Sequence, residues 1–130
     1  MILLDTHIWF WWINLEHHRF SVELKEAIST SDRVAVSCVS CFEIALAAHR
    51  GRLSLPLPAH EWFIEALDNS GIELIPLMPQ IAARAVVLAE VHRDLFDRII
   101  IATALCENAS LASLDTKFRE YPELERLLLS

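Results

Sequence analysis

The chain begins with Met1-Ile-Leu-Leu-Asp5, a short apolar run that ends in a carboxylate. The same pattern returns near the other end, where Asp115 follows Leu111-Ala-Ser-Leu114. Short continuous apolar runs are typical of strands buried on both faces of a parallel sheet. Both runs therefore predict a buried strand with an acidic residue at its carboxyl end.

Predicted strands and helices alternate along the whole chain. The strands are expected at 1–5, 33–37, 72–75 and 111–114, with a short fifth at 127–129, and the helices at about 7–14, 21–30, 40–50, 59–69, 79–91 and 95–108. Gly51 lies where a helix-ending glycine is expected. This alternation predicts a three-layer α/β/α sandwich around a central, mostly parallel sheet of four to five strands. At 130 residues, we expect one domain over 1–130.

Two further acids are expected at the same edge of the sheet. Glu43 is predicted in the first turn of the helix after the second strand, and Asp97 opens the helix that leads to the Leu111 strand. Helices of a parallel sheet begin beside the carboxyl ends of its strands, where open α/β sheets bind ligands. Two like charges about 4 Å apart repel by about 4 kcal/mol at an effective dielectric of about 20. A cation is therefore expected among them, and oxygen ligands favour Mg²⁺ or Mn²⁺.

Composition excludes several classes of protein. A hydrophobic fraction of 54% excludes a disordered chain, and a net charge of −7 argues against a broad basic face for nucleic acid. No apolar run approaches the about 20 residues that a membrane span needs. Three cysteines do not form a disulfide framework, so the cytoplasm is the expected location.

Each acid also has a purely structural interpretation. Asp5 precedes a helix and fits a helix N-cap, and Ser40-Cys-Phe-Glu43 matches a capping box. Asp94 and Asp97 are spaced as a cap and a first-turn acid. Asp115 fits a turn cap. These interpretations do not explain why all four acids are predicted at one edge.

Other chemistry-bearing residues give weaker signals. Cys38 and Cys41 have the spacing of a redox dithiol or half a zinc site, but small thiols packed between a strand and a helix are the expectation. His92 is expected to be a surface residue at the end of a helix. The chain has only two glycines and no glycine-rich phosphate loop. Nucleotide-binding folds with such a loop are therefore excluded.

The first predicted helix is apolar nearly all round. It carries Trp9, Trp11 and Trp12, and so short a helix cannot easily bury every ring in a monomer. We therefore expect one or more of these tryptophans at a protein interface.

Several stretches together resemble the PIN-domain family, and within it the VapC-like ribonuclease toxins of bacterial toxin–antitoxin pairs. These stretches are Met1-Ile-Leu-Leu-Asp-Thr-His7, Ser40-Cys-Phe-Glu43-Ile-Ala, Gly51-Arg-Leu53, His92-Arg-Asp-Leu-Phe-Asp-Arg-Ile-Ile-Ile-Ala102 and Leu111-Ala-Ser-Leu-Asp115. The resemblance covers essentially the whole chain. Leu95 stands where this pattern usually carries proline, and Ser113 where threonine is common.

The resemblance implies a cytoplasmic, metal-dependent endoribonuclease that uses Mg²⁺ or Mn²⁺, often forms a homodimer and is silenced by a cognate antitoxin. Its acidic quartet, at once catalytic and metal-binding, would be Asp5, Glu43, Asp97 and Asp115. Thr6 and Ser113 would orient carboxylates, Asp94 would be a helix cap or support the quartet, and Arg98 would offset charge on the leaving oxygen. The expected substrate is single-stranded or looped RNA.

Three alternatives remain. One is a catalytically silent PIN-like module that binds RNA or protein. The second is a phospho-accepting receiver domain, which requires an acidic pair after the first strand and a lysine after the last strand. Here Thr6 and His7 follow Asp5, and the only late lysine, Lys117, follows an acid. A dithiol redox protein would act through Cys38 and Cys41.

Overall fold

The computed structural model describes residues 1–130 and contains five strands and six α-helices. The strands are β1 Ile2–Leu4, β2 Val34–Ser37, β3 Glu73–Ile75, β4 Ser110–Ala112 and β5 Leu128–Leu129. The helices are α1 Thr6–Ile13, α2 Val22–Thr30, α3 Cys38–His49, α4 Ala59–Leu67, α5 Pro79–Val86 and α6 Leu95–Cys106. Short 3-10 helices lie at His17–Arg19, Thr116–Glu120 and Pro122–Leu124. None of the helices has the length and apolar character needed to cross a membrane.

All five strands lie in one sheet in the order β3-β2-β1-β4-β5, and every neighbouring pair is parallel. The central strand is β1, in which Leu3 pairs with Ala35 of β2 and with Leu111 of β4. Both acid-ending strands, β1 and β4, are therefore neighbours. Their carboxyl ends meet at one edge of the sheet.

Side chains of the central strand alternate between two cores. Leu3 packs into a core with residues of α5 and α6, whereas Ile2 and Leu4 pack into a second core with residues of α1 to α4. The period of two along a strand sends alternate side chains to opposite faces. The molecule is thus the predicted three-layer α/β/α sandwich, with the sheet buried on both faces.

Helix α3 ends as the sequence predicted. The amide of Gly51 donates to the carbonyl of Ala48 at 3.1 Å, and the amide of Arg52 donates to that of Ala47 at 2.9 Å. This is the Schellman arrangement, which needs a left-handed residue, and Gly51 has φ of 71°.

Two of the helix bounds that differ from the prediction bear on the site. Helix α5 stops at Val86 instead of about residue 91, because a side chain of α6 binds the carbonyls at its end, as described below. Helix α3 begins at Cys38, two residues earlier than predicted, because Ser37 rather than Ser40 is its N-cap and accepts from the amide of Val39 at 3.3 Å. Glu43 therefore lies in the second turn of α3, not the first.

Candidate active site

The carboxylates that follow β1 and β4 along the chain are both helix caps. Asp5 Oδ1 accepts from the amide of Ile8 at 2.8 Å at the start of α1. Asp115 Oδ1 accepts from the amide of Lys117 at 2.9 Å, and its own amide donates to Ser113 Oγ at 3.1 Å. The cap fixes one oxygen of each carboxylate at the carboxyl edge of the sheet.

A hydroxyl from the neighbouring helix orients Glu43. Thr6 Oγ1 donates to Glu43 Oε1 at 2.6 Å and also lies 2.9 Å from Ser40 Oγ. The capping-box interpretation of Glu43 is therefore wrong, because Ser40 lies inside α3 and Glu43 bonds across to α1. Thr6 is where the resemblance predicted a carboxylate-orienting residue.

Asp97 lies in the first turn of α6, beside its N-cap. Asp94 Oδ1 accepts from the amide of Asp97 at 3.2 Å, as expected of a cap. The Asp97 carboxylate is itself bonded by a histidine: His92 Nε2 lies 3.2 Å from Asp97 Oδ2. His92 Nδ1 in turn lies 2.7 Å from the hydroxyl of Tyr121.

These acids line one cleft of about 380 Å³ at the carboxyl edge of the sheet. The lining residues are Asp5, Thr6, His7, Trp11, Glu43, Asp94, Asp97, Leu114 and Asp115. The structure thus brings together the four acids of the predicted quartet. No lysine or arginine lines this cleft.

Burial and mutual repulsion disfavour the charged form of two of these acids. Burial raises the pKa of Asp5 to about 6, although the Ser113 hydroxyl opposes this shift. Burial is also the largest cause for Asp97, whose pKa rises to about 8. The further causes are, in order, the carboxylates of Asp94, Glu43, Asp115 and Asp5. The carboxylates therefore share one electrostatic environment.

The donor chemistry of the cleft fits a hard divalent cation. It offers carboxylate oxygens and no thiolate, which suits Mg²⁺ or Mn²⁺ better than zinc or copper. Glu43, Asp97 and Asp115 each keep one carboxylate oxygen without a protein donor. As the side chains stand, no group of three or more acidic, histidine or cysteine residues is arranged to hold an ion.

A second cavity of about 390 Å³ adjoins the acidic cleft. It is lined by aromatic and aliphatic side chains and by Arg50 and Arg52, which follow from the end of α3. The two cavities share Thr6, His7, Trp11, Glu43 and Asp94. The acidic cleft is therefore continuous with a partly apolar cavity that carries two arginines.

Arg98, expected to face the cleft, lies outside it. Its guanidinium donates to the carbonyls of Ala85 at 2.9 Å, Ala89 at 3.0 Å and Leu88 at 3.1 Å. The carbonyl of Ala85 belongs to the last turn of α5, whereas those of Leu88 and Ala89 belong to the loop that follows, and a cation stabilises carbonyls at a helix end. Arg98 therefore ties α5 and the following loop to α6 and is not in a position to contact a leaving oxygen.

The cysteine pair has no feature of a redox site. Cys38 and Cys41 lie within α3, are half-buried and are not disulfide-bonded. Burial, with a smaller contribution from Cys38, raises the pKa of Cys41 to about 11. A reactive dithiol needs a lowered thiol pKa, so the structure favours two packed thiols.

Of the three tryptophans predicted as interface residues, Trp9 is not exposed to a partner. Its side chain is fully buried between Trp62, at a ring-centroid distance of 5.3 Å, and Phe63, at 6.2 Å. Trp11 and Trp12 are half-buried. Trp11 contacts His7 and the guanidinium of Arg19, which lies 4.7 Å from its ring.

Sequence analysis missed His92 and Tyr121. The sequence predicts His92 at the end of a helix on the surface, but it lies in a loop with its side chain 10% exposed and hydrogen-bonds Asp97. Its position in the sequence, five residues before Asp97, is the feature that could have indicated a contact with Asp97. Tyr121 gave none, because its contact with His92 joins residues 29 apart in the sequence.

Comparison with known proteins identifies the family of the chain. Residues 2–124 match the PIN domain family. The chain is 32% identical to Ribonuclease VapC22 of Mycobacterium tuberculosis over 121 residues, 92% of this chain and 91% of that protein.

Solved structures share the fold. VapBC2 from Rickettsia felis, bound to a DNA fragment from its promoter, is similar with a TM-score of 0.71 at 23% identity, over 99% of this chain and 98% of that one. A toxin–antitoxin complex from Klebsiella pneumoniae has a TM-score of 0.64 at 22% identity, over 100% and 97%. With the family match over nearly all of its length, this chain belongs to the PIN domain family.

Proposed function

We propose that this chain is a metal-dependent endoribonuclease that acts as the toxin of a toxin–antitoxin pair. The observation that carries the proposal is the cleft in which Asp5, Glu43, Asp97 and Asp115 meet, each from a different element of the sheet edge. Membership of the PIN domain family and the relationship to Ribonuclease VapC22 support it.

The four carboxylates would hold Mg²⁺ or Mn²⁺. When bound, such an ion polarises the scissile phosphate and lowers the pKa of a water for attack on phosphorus. The protein's part is to fix the carboxylates. Asp5 and Asp115 are fixed by the caps that they form, Glu43 by Thr6, and Asp97 by His92.

The neighbouring cavity would take the RNA strand on one side of the scissile phosphate. Arg50 and Arg52 offer guanidinium groups to phosphates, which the acidic cleft itself cannot do. Trp11 and Phe96 offer rings for base stacking, which single-stranded RNA makes available. An exposed cleft with this lining favours unpaired RNA over a duplex.

The partners of the proposed function are an RNA, a cognate antitoxin and a second copy of the chain, in the cytoplasm. The antitoxin is supported by the solved relatives, of which the Klebsiella pneumoniae structure is itself a toxin–antitoxin complex. The half-buried rings of Trp11 and Trp12 remain proposed interface residues.

The test is cleavage of single-stranded RNA by the purified chain with Mg²⁺, with Mn²⁺ and with chelator. We expect cleavage with either ion and none with chelator, and an increase in melting temperature with millimolar Mn²⁺, because the ion binds the folded state. Asp97→Asn should remove most of both effects.

Glu61→Gln is the matched control, since Glu61 is an exposed acid of α4 outside both cavities. It should cleave as the wild type does. RNA binding without metal-dependent cleavage would instead identify a silent binding module. A melting curve unchanged by Mn²⁺ would contradict the metal site.

A further inference from the structure

A continuous chain of side chains runs from the back of α6 to the cleft. Tyr121 Oη lies 2.7 Å from His92 Nδ1, and His92 Nε2 lies 3.2 Å from Asp97 Oδ2. Arg98 Nη1 lies 3.5 Å from Tyr121 Oη at the far end. The side chains of His92 and Asp97 are only 10% and 17% exposed, so water competes little for these bonds.

The direction of donation along this chain follows from its ends. An ionised Asp97 carboxylate can only accept, so Oδ2 accepts from His92 Nε2–H, while a guanidinium has donors only, so the Tyr121 oxygen accepts from Arg98. A neutral imidazole that accepts at Nδ1 carries its proton on Nε2. With Asp97 ionised, His92 therefore donates Nε2–H to Asp97 Oδ2 and accepts the O–H of Tyr121 at Nδ1.

The histidine ring is held in this orientation from several sides. Phe118 and Tyr121 pack edge-on against it, at ring-centroid distances of 6.5 Å and 5.5 Å. Arg98 also donates to the carbonyl of Ala89 at 3.0 Å and to that of His92 itself at 3.4 Å. The loop that carries His92 is thus fixed to the helix that carries Asp97.

We infer that His92 is a positioning residue for Asp97, and that Tyr121 sets the imidazole tautomer that this role requires. The inference rests on the proposed function, in which Asp97 is an ion ligand. His92 fixes Oδ2 of the carboxylate and leaves Oδ1 to face an ion. Replacing a residue that orients a metal ligand in this way typically lowers metal affinity or activity by about 10- to 100-fold.

Two amide variants of His92 separate this role from simple packing. Glutamine places its amide nitrogen near the position of Nε2, whereas asparagine is shorter and reaches only the position of Nδ1. We expect His92→Gln to bind Mn²⁺ nearly as the wild type does, and His92→Asn to bind it about tenfold or more weakly. Isothermal titration of each protein with Mn²⁺ alone, without RNA, measures this.

Tyr121→Phe tests the tautomer, because it removes only the hydroxyl. In wild-type protein above pH 8, where the pKa of Asp97 leaves its carboxylate ionised, nitrogen-15 NMR without added metal should show His92 protonated at Nε2. In Tyr121→Phe the Nδ1–H form should gain population, and Mn²⁺ affinity should fall about tenfold. Leu124→Val is the control, since Leu124 is a buried neighbour on the same segment that is outside the hydrogen-bond chain. It should lower the melting temperature without changing Mn²⁺ affinity.

The outcomes distinguish this inference from the proposed function. The inference alone would be overturned if His92→Asn and Tyr121→Phe kept wild-type Mn²⁺ affinity, or if His92→Gln and His92→Asn lost it equally. It would also be overturned if the wild-type imidazole were protonated at Nδ1, or if Leu124→Val bound Mn²⁺ more weakly than the wild type. A wild-type chain that neither binds Mn²⁺ nor cleaves RNA would overturn the proposed function, and the inference with it.

Discussion

Asp5 and Asp115 each have a structural role and line the cleft at the same time. One oxygen of each carboxylate accepts from a backbone amide at the start of a helical segment. Sequence analysis treated the cap and the metal site as alternatives, but a carboxylate has two oxygens and can serve both. The cap is the device that holds the side chain in place, so the two interpretations support each other.

Glu43→Gln separates charge from hydrogen bonding at one residue. Glutamine keeps an oxygen that can accept from Thr6 Oγ1, so the fold should be preserved and, in chelator, even stabilised by relief of repulsion. Metal-dependent cleavage should fall by about 100-fold or more, because a charged ligand is lost. Thermal melting and initial rates check both expectations, and near wild-type cleavage would reduce the site to three aspartates.

Asp97 gives the protein a defined pH dependence. Its pKa is about 8 in the folded chain against 3.8 as the ordinary value, so the folded state binds the proton more tightly. Stability then falls as pH rises between these two values. Asp97→Asn, which cannot ionise, should therefore gain stability relative to wild type between pH 4 and pH 8.

Urea denaturation in chelator at several pH values measures this difference. Asp5, whose pKa is raised to about 6, also lowers the stability of the folded chain as pH rises toward that value. An advantage of Asp97→Asn that does not grow with pH would contradict the raised pKa.

At the scale of elements, the ends of helices decide where the site lies. Helix α5 stops at Val86, and the segment that follows it carries His92 to Asp97 because Arg98 binds the freed carbonyls. Helix α3 stops at His49, and its Schellman motif sends Arg50 and Arg52 to the second cavity. The positions of residues that line or border both cavities thus depend on where a helix ends.

Gly51→Ala tests the second of these termini. Gly51 has φ of 71° and open space around its Cβ position, so alanine should cost about 1 kcal/mol through backbone strain alone. It should also weaken RNA binding, because Arg50 and Arg52 flank the strained residue.

Gly71→Ala is a closely matched control. Gly71 has φ of 73° and equally open space, but it precedes β3 at the opposite edge of the sheet. Urea denaturation should show the same destabilisation, and fluorescence anisotropy should show unchanged RNA binding. Equal RNA binding in both variants would remove Arg50 and Arg52 from the proposed RNA path.

At the scale of the whole molecule, exposed apolar side chains beside the cleft remain to be explained. Phe42 on α3 is 62% exposed and Leu95 at the start of α6 is 72% exposed. The Phe42 ring also packs against Phe96, 5.6 Å away between centroids. Adjacent exposed apolar groups typically mark a contact surface. This surface, rather than Trp9, is where we expect the predicted homodimer to form.

Leu95→Glu should convert a dimer to a monomer, since it replaces an exposed apolar side chain of that surface with a charged one. Light scattering coupled to gel filtration measures the mass of each protein. Val22→Glu is the control, because Val22 is 75% exposed at the start of α2 and should leave the mass unchanged. A wild-type chain that is monomeric at high concentration would remove the dimer from the proposed function.

The order of elements and the place of the quartet follow from sequence alone, because both depend on local patterns. Apolar runs, helix breaks and the side-chain period of a strand are set by neighbouring residues. The geometry of parallel crossovers then brings Asp5, Glu43, Asp97 and Asp115 to one edge. The predicted order of strands and helices was therefore sufficient to locate the cleft at the carboxyl edge of the sheet.

Only the tertiary structure decided which side chains surround those acids. Arg98 is one residue from Asp97 but faces away from the cleft, and Trp9 is covered by rings from α4. Tyr121 reaches His92 across 29 residues of sequence. Such contacts depend on how distant elements pack against each other, and no local pattern of residues encodes that packing.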